Sequence, residues 1–378
     1  MRIPSRAAAC LKAGLFGAGL AVALVSCGGG GGDAPMNAVP PPVVTPTIAS
    51  AFATRTLVAD SGTGAEHTDA KLVNAWGIAF NPTGFVWVAN NGSATSTLYD
   101  GNGVPQTLVV AIPPGSAGAS NPTGIVFNSG ATFQVSQNAV SGGSAFIFAS
   151  ENGTLSGWSP SVNRTNAIVA VDTGAAGAVY KGLATATFNG ASYLYAADFR
   201  NGRIDVYDST WNKVTLSGGS FGDPNLPAGY APFGIQAIGG RIYVAYAQRA
   251  TGSTEETKGA GLGIVDVFDA GGALLKRLVS NGALNAPWGM ALAPANFGGA
   301  SNMLLVANFG DGKINAYNVD TGAFAGTLSR SGGAPIVIDG LWGIAFGNGV
   351  NSQPANTLFY TAGPGDEAHG VYGRIDLQ

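Results

Sequence analysis

Residues Asn285 to Gly322 read NAPWGMALAPANFGGASNMLLVANFGDGKINAYNVDTG. An apolar run opens at Trp288-Gly289, a second spans Met303 to Ala307, a tight turn occupies Asn308-Phe309-Gly310-Asp311-Gly312, and a third run covers Lys313 to Tyr317. Short apolar runs separated by Gly, Asn and Asp turn residues predict three strands of one antiparallel sheet. The motif recurs at a spacing of about fifty residues, the period of propeller blades. Its innermost-strand positions are Trp76-Gly77, Thr123-Gly124, Lys181-Gly182, Phe233-Gly234, Trp288-Gly289 and Trp342-Gly343. A glycine in each allows close backbone approach around a central channel.

Second strands follow at Val86 to Ala89, Ala145 to Ala149, Tyr193 to Ala197, Ile242 to Ala247, Leu304 to Ala307 and Leu358 to Thr361. Four blades then carry Asn91-Gly92, Asn152-Gly153, Asn201-Gly202 or Asp311-Gly312, dipeptides that suit type I′ turns. The sixth copy reaches Gln378 at the end of a third strand, so its outer strand must come from elsewhere. The strand-like run Arg55 to Asp60 precedes the first blade without a sequence neighbour to pair with, and donating it to the last blade would close the ring. The predicted fold is an all-β, six-bladed β-propeller over residues 55–378, closed by an N-terminal strand completing the last blade. On this reading truncation at residue 62 unfolds or oligomerises the domain, whereas truncation at residue 53 does not.

Composition agrees. Of 378 residues only 10% are charged and 59 are glycine, a balance that suits short strands and many turns. Residues 1–27 read as a targeting segment: Arg2, Arg6 and Lys12 form a basic start, and Ala13 to Val25 is an apolar core too short for a permanent span. The segment ends Leu24-Val25-Ser26-Cys27, which resembles the bacterial lipobox. The resemblance implies cleavage before Cys27 and lipidation there, and Gly28 after the cysteine implies sorting to the outer membrane, on its periplasmic or cell-surface side. Residues 28–54 are Gly-rich and then Pro-rich and read as a disordered tether, reaching roughly 30 Å as a coil.

Without the basic residues of that leader, 15 Lys+Arg face 21 Asp+Glu, a net charge of −6. With no basic stripe, nucleic acid is excluded as a partner and membrane contact is expected through the anchor alone. With Cys10 and Cys27 as the only cysteines, the propeller has no thiol for a disulfide, a zinc site or a nucleophile.

The repeated pattern W/P-G-I-A, V-A-N/D and N/D-G-R/K-I-x-V/A-Y resembles NHL-type six-bladed propellers over roughly Arg55 to Gln378. More narrowly, the chain resembles an uncharacterised family of secreted bacterial propellers. In such folds the residues before each inner strand and in the second-to-third-strand turns gather at one mouth of the channel. Here they include Asn74, Trp76, Asn121, Glu151, Lys181, Asp198, Arg200, Asn285, Trp288, Asn308, Asp339 and Trp342. Together they would make a ring of oxygen ligands and donors framed by indoles, suited to a small polar ligand, a sugar or a hard cation. Taken singly, each is better accounted for by turn capping or by packing between blades.

The leading expectation is therefore a monomeric, lipid-anchored binding module at the cell envelope, whose partner is a small polar ligand or an envelope protein. No cofactor is required. The alternative is a calcium-dependent hydrolase. Gluconolactonase-like propellers hold calcium with Glu, Asn and Asp, and Glu151, Asn308 and Asp198 or Asp339 could imitate that set, although no motif marks them as catalytic. His67 and His369, the only histidines, make a poor zinc site, and no G-x-S-x-G elbow accompanies them; they could face one another across the closure seam. Two polar insertions, Gln248 to Ala260 and Gly363 to Gly370, replace the short turn in blades four and six and read as binding edges.

Overall fold

The structure, a computed structural model, describes residues 46–62 and 64–378. The expected leader, Cys27 and residues 28–45 of the expected tether lie outside the described residues. Six antiparallel sheets follow one another along the chain. Blade one comprises strands Ala75–Phe80, Val86–Asn90, Thr95–Tyr99 and Pro105–Ala111. The innermost strands of the next five are Pro122–Phe127, Tyr180–Phe188, Tyr230–Ile238, Pro287–Leu292 and Leu341–Phe346. Strand Phe52–Ala59 pairs antiparallel with the third strand of blade six, Val371–Leu377, in a register that sets Thr54 opposite Ile375. The propeller is therefore closed by its own N-terminal strand, as the missing outer strand predicts.

The glycine pattern has a steric cause. A Cβ on Gly77 would collide with the carbonyl of Thr123, one on Gly234 with that of Trp288, one on Gly289 with that of Trp342, and one on Gly343 with that of Trp76. Each inner strand thus leans on the next through a bare backbone position, and the last contact returns to the first blade. The core is correspondingly divided. Six apolar clusters fill the six seams between neighbouring blades, for example Trp87, Phe146, Phe148 and Trp158 between blades one and two. At the closing seam Leu57, Val58, Tyr99, Phe359 and Tyr372 pack together, all fully buried.

Two expectations need correction, and one element is additional. Regular structure begins at Phe52, and Ile48 packs against the blade-five and blade-six cluster, so the end of the expected tether belongs to the propeller. Phe52 is fully buried with its ring centroid 4.9 Å from that of Phe297; truncation at residue 53 would remove it. The hairpins are not type I′ turns either. In three of them only the glycine has positive φ (Gly153, Gly202, Gly312), and in blade one a 3-10 turn Asn91–Ser93 ends with Ala94 left-handed. Blade two also carries a hairpin that the repeat does not contain, Gln134–Gln137 with Val140–Gly143, between its first and second strands.

Candidate functional site

The repeat sets a residue immediately before each inner-strand glycine, at the mouth of the channel. Three of those residues are tryptophans, and they fill the mouth instead of framing it. Trp342 stacks between Trp76 and Phe309, at centroid distances of 3.5 and 3.9 Å, while Trp288 meets Trp76 and Trp342 edge-on at 6.0 and 5.7 Å. With Phe199 and Phe233 they form a seventh apolar cluster on the axis. The reason is geometric: six inner strands converge there, and burying large rings is the most favourable way to fill the space. Below the plug lies a cavity of about 30 Å³ lined by inner-strand backbone and aliphatic side chains, room for about one or two waters. The three tryptophans, expected as ligand-facing groups, are therefore packing residues.

Lys181 takes the equivalent place in blade three and is 1% exposed. Its Nζ lies 2.6 Å from Glu151 Oε1 and 3.2 Å from Glu255 Oε2, and 5.0 Å from the centroid of the Trp76 ring. Burial alone would pull the lysine pKa down, but Glu151, Glu255 and Glu256 outweigh it and hold the ammonium charged. Glu256 Oε2 is buried without a hydrogen-bond partner, and burial pushes this carboxyl up despite the opposing pull of Lys181. Burial also raises Glu367, which accepts a 2.7 Å hydrogen bond from Asn74 Nδ2. Asn74, left-handed at φ 47°, accepts from Trp76 Nε1 at 3.0 Å and donates to Asn91 Oδ1 at 3.3 Å. Asn91 Nδ2 in turn donates to Glu151 Oε2 at 2.9 Å. One polar network thus joins blades six, one, two, three and four above the aromatic plug.

The remaining expected site residues divide by role. Asn121 donates to the Asn91 carbonyl at 3.3 Å and belongs to this network. Asn285 Oδ1 accepts from the Gly259 N–H at 2.7 Å and Asp339 Oδ2 from that of Gly365 at 2.9 Å, so these two fasten the long loops of blades four and six. Asp198, fully buried, accepts from the Val179 and Asn201 N–H groups, and Asn308 donates to the Ala283 carbonyl and to Asp311; both are turn residues. Arg200 is exposed, and its carbonyl accepts from Arg249 at 2.6 Å.

Glu151, Asn308, Asp198 and Asp339 are thus committed to separate networks and do not converge as a calcium set. Among the described residues no group of three or more His, Cys, Asp or Glu is arranged to hold a metal ion. His369 lies at the closure seam, its Nδ1 3.1 Å from Asp60 Oδ2 and 3.3 Å from Ser61 Oγ. Both partners sit on one ring nitrogen, so no Ser-His-Asp relay is formed. His67 lies in the two-residue strand His67–Thr68 beside Val58.

Glu255 and Glu256 were not among the expected residues. Their loop is legible as an insertion, but an insertion lies outside the repeat, so no period assigns its side chains a place. Phe309 was hidden by its position inside a turn motif.

No family model matches the chain. It is 33% identical over 325 residues to the uncharacterized protein R648 of Acanthamoeba polyphaga mimivirus, covering 84% of this chain and 78% of that one. It is 34% identical over 326 residues to the uncharacterized protein L690 of the same virus, covering 84% of each. Among solved structures, the PQQ-bound aldose sugar dehydrogenase of Streptomyces coelicolor aligns with 88% of this chain and all of its own at a TM-score of 0.51 and 13% identity. A streptogramin B lyase structure aligns with 86% of this chain and 97% of its own at 0.50 and 12%. At such identities the structural likeness speaks for the fold alone.

Proposed function

The chain belongs to the family that includes the mimivirus proteins R648 and L690, and from that premise we propose that it is a binding module whose working surface is the channel mouth. The observation that carries this reading is the Lys181 network: a buried ammonium among carboxylates from blade two and from the long blade-four loop, resting on a rigid aromatic floor. Such a surface is preorganised, because most of the cost of desolvating and ordering its polar groups is met in the folded chain. A small polar ligand or a protein partner bearing complementary charge suits it. Fold neighbours include enzymes, but the amine at this mouth, Lys181, is held as an ammonium by its carboxylates, which suits ion pairing and not nucleophilic attack.

In the same reading Cys27 carries the lipid and presents the propeller at the cell envelope. That part rests on the Leu24-Val25-Ser26-Cys27 motif, and the viral relatives lend it no support. Radiolabelled palmitate incorporation tests it: label on the wild type that Cys27→Ser abolishes is the expected result, and equal labelling of both overturns it.

The binding surface is tested by comparing Glu255→Lys and Glu367→Lys with wild type for ligand or partner capture from envelope fractions. Capture lost in both and kept in a distant surface variant such as Leu275→Ser is expected. Capture indifferent to both mouth substitutions would sink the proposal. A rise in melting temperature with calcium, together with lactone hydrolysis that Glu151→Gln abolishes, would favour the hydrolase instead.

A further inference from the structure

Blade three is the one whose outer strand is cut short. That strand, Lys213–Val214, has two residues, against four to eight in the corresponding strands Pro105–Ala111, Ile168–Asp172, Leu274–Ser280, Phe324–Thr327 and Phe52–Ala59. It pairs only with Val206 and Tyr207, so the first half of the third strand Arg203–Asp208 has no outer partner. The cause lies just downstream. Phe221 is drawn into the seam between blades three and four, 5.3 Å from Tyr195 and 5.4 Å from Phe268 by ring centroids. Gly218 and Gly219 run hard against the Gly271-Gly272 backbone, so the chain leaves the sheet edge early.

The vacated edge has hydrogen-bonding capacity to spare. Asp208 donates its N–H outward, to the Asn212 carbonyl of the outer hairpin at 2.9 Å. Backbone groups of a strand alternate in direction every residue, so those of Ile204, four positions earlier, also face the outer edge. Beside them runs a groove of about 460 Å³ between residues 203–206 and residues 213–221. Its exposed charges are cationic: Arg203 and Lys213 are 50% and 46% exposed, while the carboxylates of Asp198 and Asp205 that they contact are 0% and 1% exposed. The fold already fills the matching place in blade six with a strand from far away in sequence.

We propose that this notch is a second binding site, distinct from the channel mouth, which accepts an extended acidic peptide as an added strand of blade three. Main-chain pairing to Ile204 supplies the affinity common to all strand addition, and the Arg203 and Lys213 cations select a Glu or Asp in the peptide. The site does not depend on the channel-mouth reading, and failure of one leaves the other standing.

Fluorescence anisotropy with the full chain tests it, using fluorescein-labelled Thr-Val-Glu-Val-Thr amide as the probe. Saturable binding is expected, roughly tenfold weaker for a probe with Lys in place of Glu and for the Lys213→Glu variant, one ion pair's worth. Alternate backbone N-methylation of the probe should abolish binding, and so should Thr215→Trp, which fills the groove without altering charge. Glu255→Gln at the channel mouth should leave it unchanged. No saturable binding, or binding indifferent to N-methylation and to Thr215→Trp, overturns the proposal. Self-association of the chain that the probe displaces, seen by sedimentation velocity, would overturn it in favour of a second copy as the occupant.

Discussion

Lys181 holds a full charge at 1% exposure because carboxylates from two other blades converge on it. Removing the ammonium takes the counter-charge from the partly buried Glu151 and Glu256, while the largely exposed Glu255 turns to water, so Lys181→Met should destabilise the propeller by roughly 1–3 kcal/mol. Urea unfolding measures this, and adding Glu151→Gln to Lys181→Met should recover part of the loss. A second buried charge makes a pH signature. Asp266 is 0% accessible, and burial with the nearby Asp223 charge pushes its carboxyl up to about 7 despite Arg277. A carboxyl raised on folding stabilises the native state most below its unfolded pKa and loses that contribution as pH rises through about 7. The stability of wild type minus that of Asp266→Asn should therefore fall between pH 4 and pH 8, read from urea midpoints across that range; a flat difference would contradict the assignment. At this scale the repeat places Asn74, Glu151 and Lys181 at the channel mouth, and the structure joins them there in one hydrogen-bonded network. The sequence could not separate tryptophans that frame a mouth from tryptophans that plug it, because both occupy the same repeat position and only the convergence of six strands decides.

Among elements, the inner-strand glycine is the most constrained feature. Gly289→Ala would drive a methyl into the Trp342 carbonyl, and overpacking of this kind costs roughly 1–3 kcal/mol. The blade-two hairpin offers the opposite case. Asn138 and Ala139 at its tip both have positive φ, 51° and 65°. Alanine is strained there and glycine is not, so Ala139→Gly should raise stability by roughly 0.5–1 kcal/mol. Thermal unfolding of the two variants checks both signs. Strands and their order are legible because the inner-strand glycine and the aliphatic runs recur six times and the turn dipeptides four times. The additional hairpin is not marked by the repeat, and the blade-four loop is legible only as an insertion, because neither belongs to the repeated unit and no period assigns its side chains a place. The start of the first strand was also misplaced: Ala51-Phe52-Ala53-Thr54 has one bulky apolar residue and no clear alternation, and its strand character comes from pairing with residues 374–377.

Over the whole molecule, stability is distributed over six seams, and the seam between blades six and one is the one closed by a segment remote in sequence. Relative to the chain from residue 46 onward, deleting through Ala53 should lower the melting temperature by removing Phe52, and deleting through Gly62 should open the ring and expose the edge of Val371–Leu377 to aggregation. Light scattering with a melting scan distinguishes the two deletions. The closure itself can be tested by cross-linking. In the chain from residue 46 onward, which contains no cysteine, Arg55→Cys and Arg374→Cys become directly opposite partners on the outer and third strands of blade six. Mild oxidation should join them within one molecule, as peptide mapping by mass spectrometry would show, and should raise the melting temperature. Failure of the pair to form, or cross-linking only between molecules, would contradict a propeller that closes on its own first strand.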